Sequence, residues 1–153
     1  MAPDVTIAIE SPRHKDIARL IQALDRYLDS LYPVGSNHIF DIDALTGPDV
    51  RFVVARRESR VIGCGALKLH GDGSGEIKRM FVLPEARGQK CGRRILNWIE
   101  GLARAEKLRC LRLETGIHQT EALALYRSAD FRECGPFGGY RSDPLSLFME
   151  KTL

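Results

Sequence analysis

The sequence predicts an α+β chain with a mixed sheet. Three observations lead there. Helical periodicity dominates the first third, an antiparallel meander follows, and the second half then runs strand, helix, strand, helix and strands. Such an order makes a mixed sheet with one crossover helix. The 153 residues fit a single domain, 1–153, around one core.

Ser11-Pro12 reads as a cap followed by proline at the first helical position. Ile17, Leu20, Ile21, Leu24, Leu28 and Leu31 then recur on one helical face, and Pro33 and Gly35 end the run. A loop from Val34 to Phe40 leads to a short helix around Asp41 to Leu45, which Gly47-Pro48 breaks. Phe52 to Ala55 and Val61 to Leu69 pair as a hairpin across a polar turn at Arg57 to Ser59. A Gly-rich turn, His70 to Gly75, leads into a third strand, Glu76 to Leu83. Its alternation fails at Met80, Phe81 and Val82, which means either burial on both faces or a β-bulge that splays the strand. After Pro84 a helix from about Gly92 to Lys107 presents Ile95, Leu96, Ile99, Leu102 and Ala103 on one face. Cys110 to Thr115 alternates as a strand. Glu121 to Ala129 is helical, with Ala122, Leu125, Tyr126 and Ala129 aligned. Phe131 to Cys134 and Leu147 to Lys151 are the last strands, separated by a Gly/Pro-rich loop.

Composition narrows the classes. A 44% hydrophobic and 28% charged chain is ordinary for a soluble globular protein. No apolar run reaches the ~20 residues that span a bilayer, and Met1 to Glu10 lacks the pattern of a signal peptide. A net charge of +3 makes no case for nucleic acid. Cys64, Cys91, Cys110 and Cys134 form no CxxC pair and have no histidine cluster beside them, so no metal site is expected. They read as packed, reduced thiols in a cytoplasmic setting.

The chemistry concentrates in the stretch from Glu76 to Leu96. A strand runs through Pro84 into a basic, Gly-containing turn and then an amphipathic helix. Backbone N–H groups at such a helix start, with the helix dipole, favour a phosphate or pyrophosphate. Arg87, Lys90, Arg93 and Arg94 add positive charge. The rival reading is an ordinary strand-to-helix turn with solvated arginines. Neither GxxxxGK[ST] nor a GxGxxG opening a βαβ unit is present, so P-loop and Rossmann sites are set aside.

Arg87-Gly88-Gln89-Lys90-Cys91-Gly92 resembles the Q/R-x-x-G-x-G/A loop of the GNAT superfamily of acyl-CoA N-acyltransferases, with Lys90 in place of the middle glycine. Gln119 to Phe131 is similar to the family's N-x-x-A-x-x-L-Y-x-x-x-G-F, matching at Ala122, Leu125, Tyr126 and Phe131. Leu113 to Gly116 and Pro136 to Lys151 are similar to a bacterial subgroup labelled auxin (indole-acetic acid) acetyltransferases. The resemblance covers about Val50 to Leu153.

The resemblance implies the GNAT fold: a twisted, mostly antiparallel mixed sheet of six to seven strands flanked by four helices. It implies an N-acetyltransferase that moves an acetyl group directly from acetyl-CoA, the co-substrate, to an amine acceptor, most simply a small molecule. Dimers are frequent in the family. Met80, Phe81 and Val82 would pair with pantetheine. Arg87, Gly88, Gln89, Lys90, Cys91, Gly92 and Arg93 would hold the pyrophosphate, with Gln119 and Tyr126 nearby. Tyr126 is implied as general acid, against a plain core tyrosine. Glu76 is implied as general base, against a solvated strand-end carboxylate; Glu114 and His118 are the alternatives. Asn37, His38, Glu114, Tyr140 and Arg141 would line the acceptor cleft, against ordinary solvated loops. A non-catalytic acyl-CoA-binding module and a protein N-acetyltransferase are the rival functions.

Overall fold

The computed structural model describes residues 4–32 and 42–153. A seven-stranded sheet runs through it. The strands are β1 (Val5–Ile9), β2 (Val50–Arg57), β3 (Arg60–Leu69), β4 (Ser74–Val82), β5 (Cys110–Gly116), β6 (Arg132–Cys134) and β7 (Ser146–Thr152). The helices are α1 (Lys15–Leu31), α2 (Ile42–Leu45), α3 (Cys91–Ala105) and α4 (Thr120–Ser128). Strand order is β1-β2-β3-β4-β5-β7-β6, and only the β4–β5 pair, joined by α3, is parallel. This is the GNAT arrangement of the expectation, an open sheet with helices on both faces.

Each face has its own core. One side packs Ile95, Leu96 and Ile99 of α3 and Leu123 and Tyr126 of α4 onto Val53, Leu67, Ile77, Leu111, Leu113 and Met149. The other packs Ile17, Leu20, Ile21 and Leu24 of α1 onto Phe52, Val54, Cys64, Ala66 and Phe81. Burying both faces explains why the central strands read as nearly continuous apolar runs.

Three expectations shift. Ser11-Pro12 does not open α1. Ser11 instead holds a turn, its Oγ accepting from the Arg13 N–H at 3.2 Å and its carbonyl from the His14 N–H at 3.2 Å, and the helix starts at Lys15. Strand β1 has no counterpart in the sequence reading, which assigns no element before Ser11. In α4, Leu123 is buried with Tyr126, whereas Ala122 and Leu125 are only half-buried because they line a cleft. The expected ends of α1 at Pro33 and Gly35, and the loop after them, lie outside the described residues.

The β2–β3 turn is two residues long, and both, Glu58 and Ser59, have positive φ. That geometry matches the twist of a hairpin even without the usual glycine.

Candidate active site

The site begins where β4 and β5 part. Their pairing covers only Ser74–Ile77 against Cys110–Leu113, while β4 continues to Val82 and β5 to Gly116. The divergence coincides with a bulge. Between Cys64↔Phe81 and Ala66↔Lys78 the register with β3 slips by one residue, and Arg79 adopts φ 57°. The bulge resets alternation, so Met80 and Val82 face the α3 side and Phe81 the α1 side. Both sequence alternatives therefore hold at once: the strand is bulged and packed on two faces. Gly65 makes this possible, since a Cβ there would stand 2.6 Å from the Met80 sulfur.

A cavity of about 730 Å³ opens beside this stretch. Met80, Phe81 and Val82 form one wall, the Arg87–Arg93 turn the rim, and Ala122, Leu125 and Tyr126 of α4 the opposite wall. Within the turn Gly88 has φ 81° and Lys90, which caps α3, has φ 62°. A side chain in the left-handed region costs about 1–2 kcal/mol, which is the reason a glycine suits position 90. The first N–H groups of α3 follow directly and supply unpaired donors with the positive end of the helix dipole. Arg87, Lys90 and Arg93 all line the cavity. Arg87 is braced: its Nε donates to the Val82 carbonyl at 3.1 Å, and its guanidinium lies over the Tyr27 ring. Arg93 donates to Ser128 Oγ at 2.9 Å. Gln89 departs from the expected set, because its side chain bonds Arg57 rather than lining the cavity.

A second cavity of about 130 Å³ meets the first at Leu24, Met80, Gln119 and Tyr126, which line both. Its floor is a buried polar network. Glu76 Oε2 accepts from Tyr140 Oη at 2.6 Å and lies 3.0 Å from Lys78 Nζ. Glu76 Oε1 lies 2.9 Å from His70 Nε2. Lys78 Nζ also donates to Tyr140 Oη at 3.0 Å. Glu76 is 2% exposed and surrounded by three polar partners, so the rival reading of a solvated strand-end carboxylate does not hold. Burial lowers the pKa of Lys78, while the charge of Glu76 opposes the shift. Burial first, then the hydrogen bond to Glu76, pushes Tyr140 well above the ordinary phenol range. Tyr140 reaches the network because its loop folds back, with its ring edge-on to Phe137 and Phe148 at 5.2 and 5.6 Å between centroids.

Glu114, one of the expected lining residues, stands across this cavity and is tied differently. Ser146 Oγ donates to its Oε1 at 2.7 Å, and among the described residues no cation lies within ion-pair distance of it. Tyr32 closes the far wall. Its hydroxyl sits so near Gly116 that a Cβ there would be 1.4 Å away. His118 stacks beside Tyr32 at 5.6 Å and does not line the cavity; neither does Arg141 on the exposed loop. Asn37 and His38 lie outside the described residues.

Tyr126 stands where the cavities join. It is 5% exposed, and burial, helped by the charge of Glu114, raises its pKa far above 10. Among the described residues its hydroxyl has no hydrogen-bond partner. A phenol held neutral with a free O–H is a donor for whatever charge develops at the junction. Sequence reasoning missed Lys78, His70, Ser146 and Tyr32. Lys78 alone had a local signal, standing two residues from Glu76 on the same strand face.

A cleft between parted strands, rimmed by a basic turn at a helix N-terminus, suits a phosphate-bearing ligand. Residues 48–133 match the acetyltransferase (GNAT) domain. The chain belongs to the GNAT acetyltransferase family. It is 55% identical, over 99% of both chains, to a protein of Azospirillum brasilense named IAA acetyltransferase. A Klebsiella pneumoniae structure ascribed to an acyl-CoA N-acyltransferase superposes with a TM-score of 0.84 at 36% identity, covering 97% of each chain. The PaiA N-acetyltransferase of Thermoplasma acidophilum, solved with coenzyme A, shares the fold with a TM-score of 0.74 at 18% identity over 98% of this chain and 99% of that one.

Proposed function

We propose that the protein transfers the acetyl group of acetyl-CoA directly to the amine of a small molecule. The observation that carries this reading is the junction at Tyr126 of a long cofactor-sized cleft and a small polar pocket. The α3 turn takes the pyrophosphate through backbone donors, and the unpaired stretch of β4 takes the pantetheine amides. The thioester then lies at Met80 and Tyr126, with the acceptor amine arriving from the Glu76–Glu114 side.

Roles divide by what each group has left to offer. Tyr126 has an unengaged O–H and a raised pKa. Full proton transfer from such a phenol to a thiolate of ordinary pKa near 8.5 is uphill. Tyr126 therefore acts chiefly as a hydrogen-bond donor to the departing sulfur. Glu76 already meets Tyr140, Lys78 and His70, which weakens it as a base. Glu114 keeps an oxygen free toward the pocket and is the better acceptor for the amine proton. We accordingly move the base from Glu76 to Glu114 and give Glu76 the task of fixing Lys78 and Tyr140. A reducing cytoplasm suits the four free thiols.

The test is a screen of amines with acetyl-CoA, reading free thiol. Release that depends on both enzyme and amine is expected. In parallel, acetyl-CoA at ~100 times its dissociation constant should stabilise the fold by about 2.7 kcal/mol. Stabilisation without turnover by any amine would turn the reading into an acyl-CoA-binding module.

A further inference from the structure

The charges around the smaller cavity say what kind of amine it takes. Its charged lining consists of Glu76, Lys78, Arg79, Glu114 and Asp143. Both cations are already committed. Lys78 Nζ lies 3.0 Å from Glu76 Oε2, and Arg79 Nη1 lies 2.6 Å from Asp25 Oδ1, with the two cationic side chains only 10% and 4% exposed. Glu76 is matched by Lys78, but the other two carboxylates are not matched in return. Glu114 has a serine hydroxyl and no cation, and Asp143 is held by the Leu145 N–H at 2.8 Å. The lining thus presents three carboxylates against two cations, one paired to Glu76 within the lining and the other to Asp25 outside it. The surplus negative charge sits at Glu114, beside the junction, and it contributes to the upward shifts of Tyr32, Tyr126 and Tyr140 around it.

Resting on the transferase reading above, we infer that the acceptor is a primary amine with no carboxylate next to its nitrogen, bound as its ammonium ion against Glu114. An ammonium group offsets the surplus charge and gives its proton to the carboxylate it pairs with. An α-carboxylate would be carried into the same small, poorly hydrated space. It would meet Glu114, while the two cations among the described lining residues already pair with Glu76 and Asp25. At separations of a few ångströms such like-charge contacts are costly when partly shielded from water. Amines of the kind left when amino acids lose their carboxyl group meet this requirement, and the parent amino acids do not.

The experiment compares matched pairs that differ only in that carboxylate: tryptamine with tryptophan, tyramine with tyrosine, phenethylamine with phenylalanine and histamine with histidine. kcat/KM for each is read by thiol release and confirmed by mass of the product. For every pair that reacts, the decarboxylated amine should exceed its amino acid at least about tenfold. Raising the salt concentration should narrow the gap. Equal use of both members, or a preference for the amino acid, overturns the inference while leaving the transferase reading intact. No turnover with any of the pairs or with any amine of the wider screen, under conditions where acetyl-CoA binds, overturns both.

Discussion

The two cavities that meet at Tyr126 are built in different ways. The larger is made by backbone: a bulged strand, a turn with two left-handed residues and the start of a helix. The smaller is made by side chains, contributed by β4, β5, β7, the turn after β3 and the loop before β7. Backbone recognition suits a fixed ligand, because main-chain donors stay put when side chains change. Side-chain recognition suits a ligand that differs between relatives, because one substitution re-charges the pocket without moving the sheet. On the proposed function, the backbone-built half would hold the cofactor and the side-chain-built half the acceptor.

Substitutions can break this contrast at graded cost. The largest effect belongs to the junction. Tyr126→Phe keeps the ring in its core and removes one unengaged hydroxyl, so turnover should fall about a hundredfold. Melting temperature and CoA affinity should hardly change; full-speed turnover would reduce Tyr126 to a packing residue.

Next come the two carboxylates. Glu76→Gln leaves the buried Lys78 without its anion and should cost about 3 kcal/mol of stability. Glu114→Gln should leave the melting temperature nearly unchanged and lower turnover tenfold or more, most at low pH where the amine is charged. Calorimetric CoA affinity should hold in both. If instead Glu76→Gln stops turnover in a stable protein, Glu76 is the base as the family resemblance implied.

A smaller effect is alkaline. Burial raises the pKa of Tyr126 and Tyr140, so the folded state keeps these protons above pH 10 while the unfolded chain loses them. Their contribution is fully present below pH 10 and declines above it. A melting series from pH 9 to 11 should show a fall that Tyr140→Phe flattens.

The smallest effect is in the cofactor turn. Lys90→Gly relieves a positive φ at some cost in unfolded-chain entropy, for a net gain of up to about 1 kcal/mol. CoA affinity should stay within about threefold; a loss above tenfold would make the Lys90 side chain itself a phosphate ligand.

The same contrast explains what could be read in advance. The turn, α3 and Tyr126 lie in two contiguous segments, so their meaning is local and the sequence carries it directly. The bulge was half legible, as broken alternation at Met80 to Val82, but its cause, the left-handed Arg79 opposite Gly65, needed the partner strand. The Glu76 network joins residues up to 64 positions apart, and no spacing rule connects them. Glu76 read as a general base or a solvated strand-end carboxylate, and neither reading contained its burial; Tyr140, from the loop before β7, bonds it. Strand β1 had a signal that went unused, the β-branched alternation of Val5, Ile7 and Ile9. The expectation at Ser11-Pro12 failed because a serine that caps a turn and one that caps a helix look alike until the next residues commit.

The short β4–β5 pairing has a mechanical side. Four residue pairs are the whole hydrogen-bonded seam between a four-stranded panel and a three-stranded one. The rest of that boundary is a notch. A ligand whose amides bond along the β4 edge of the notch, and whose length contacts α4, would act as a rivet across that seam. Without it the two panels share a core on one face and little else to keep their angle. On the proposed function the co-substrate would thus also stiffen the protein, and hydrogen exchange along the β4–β5 seam should slow when acetyl-CoA is added.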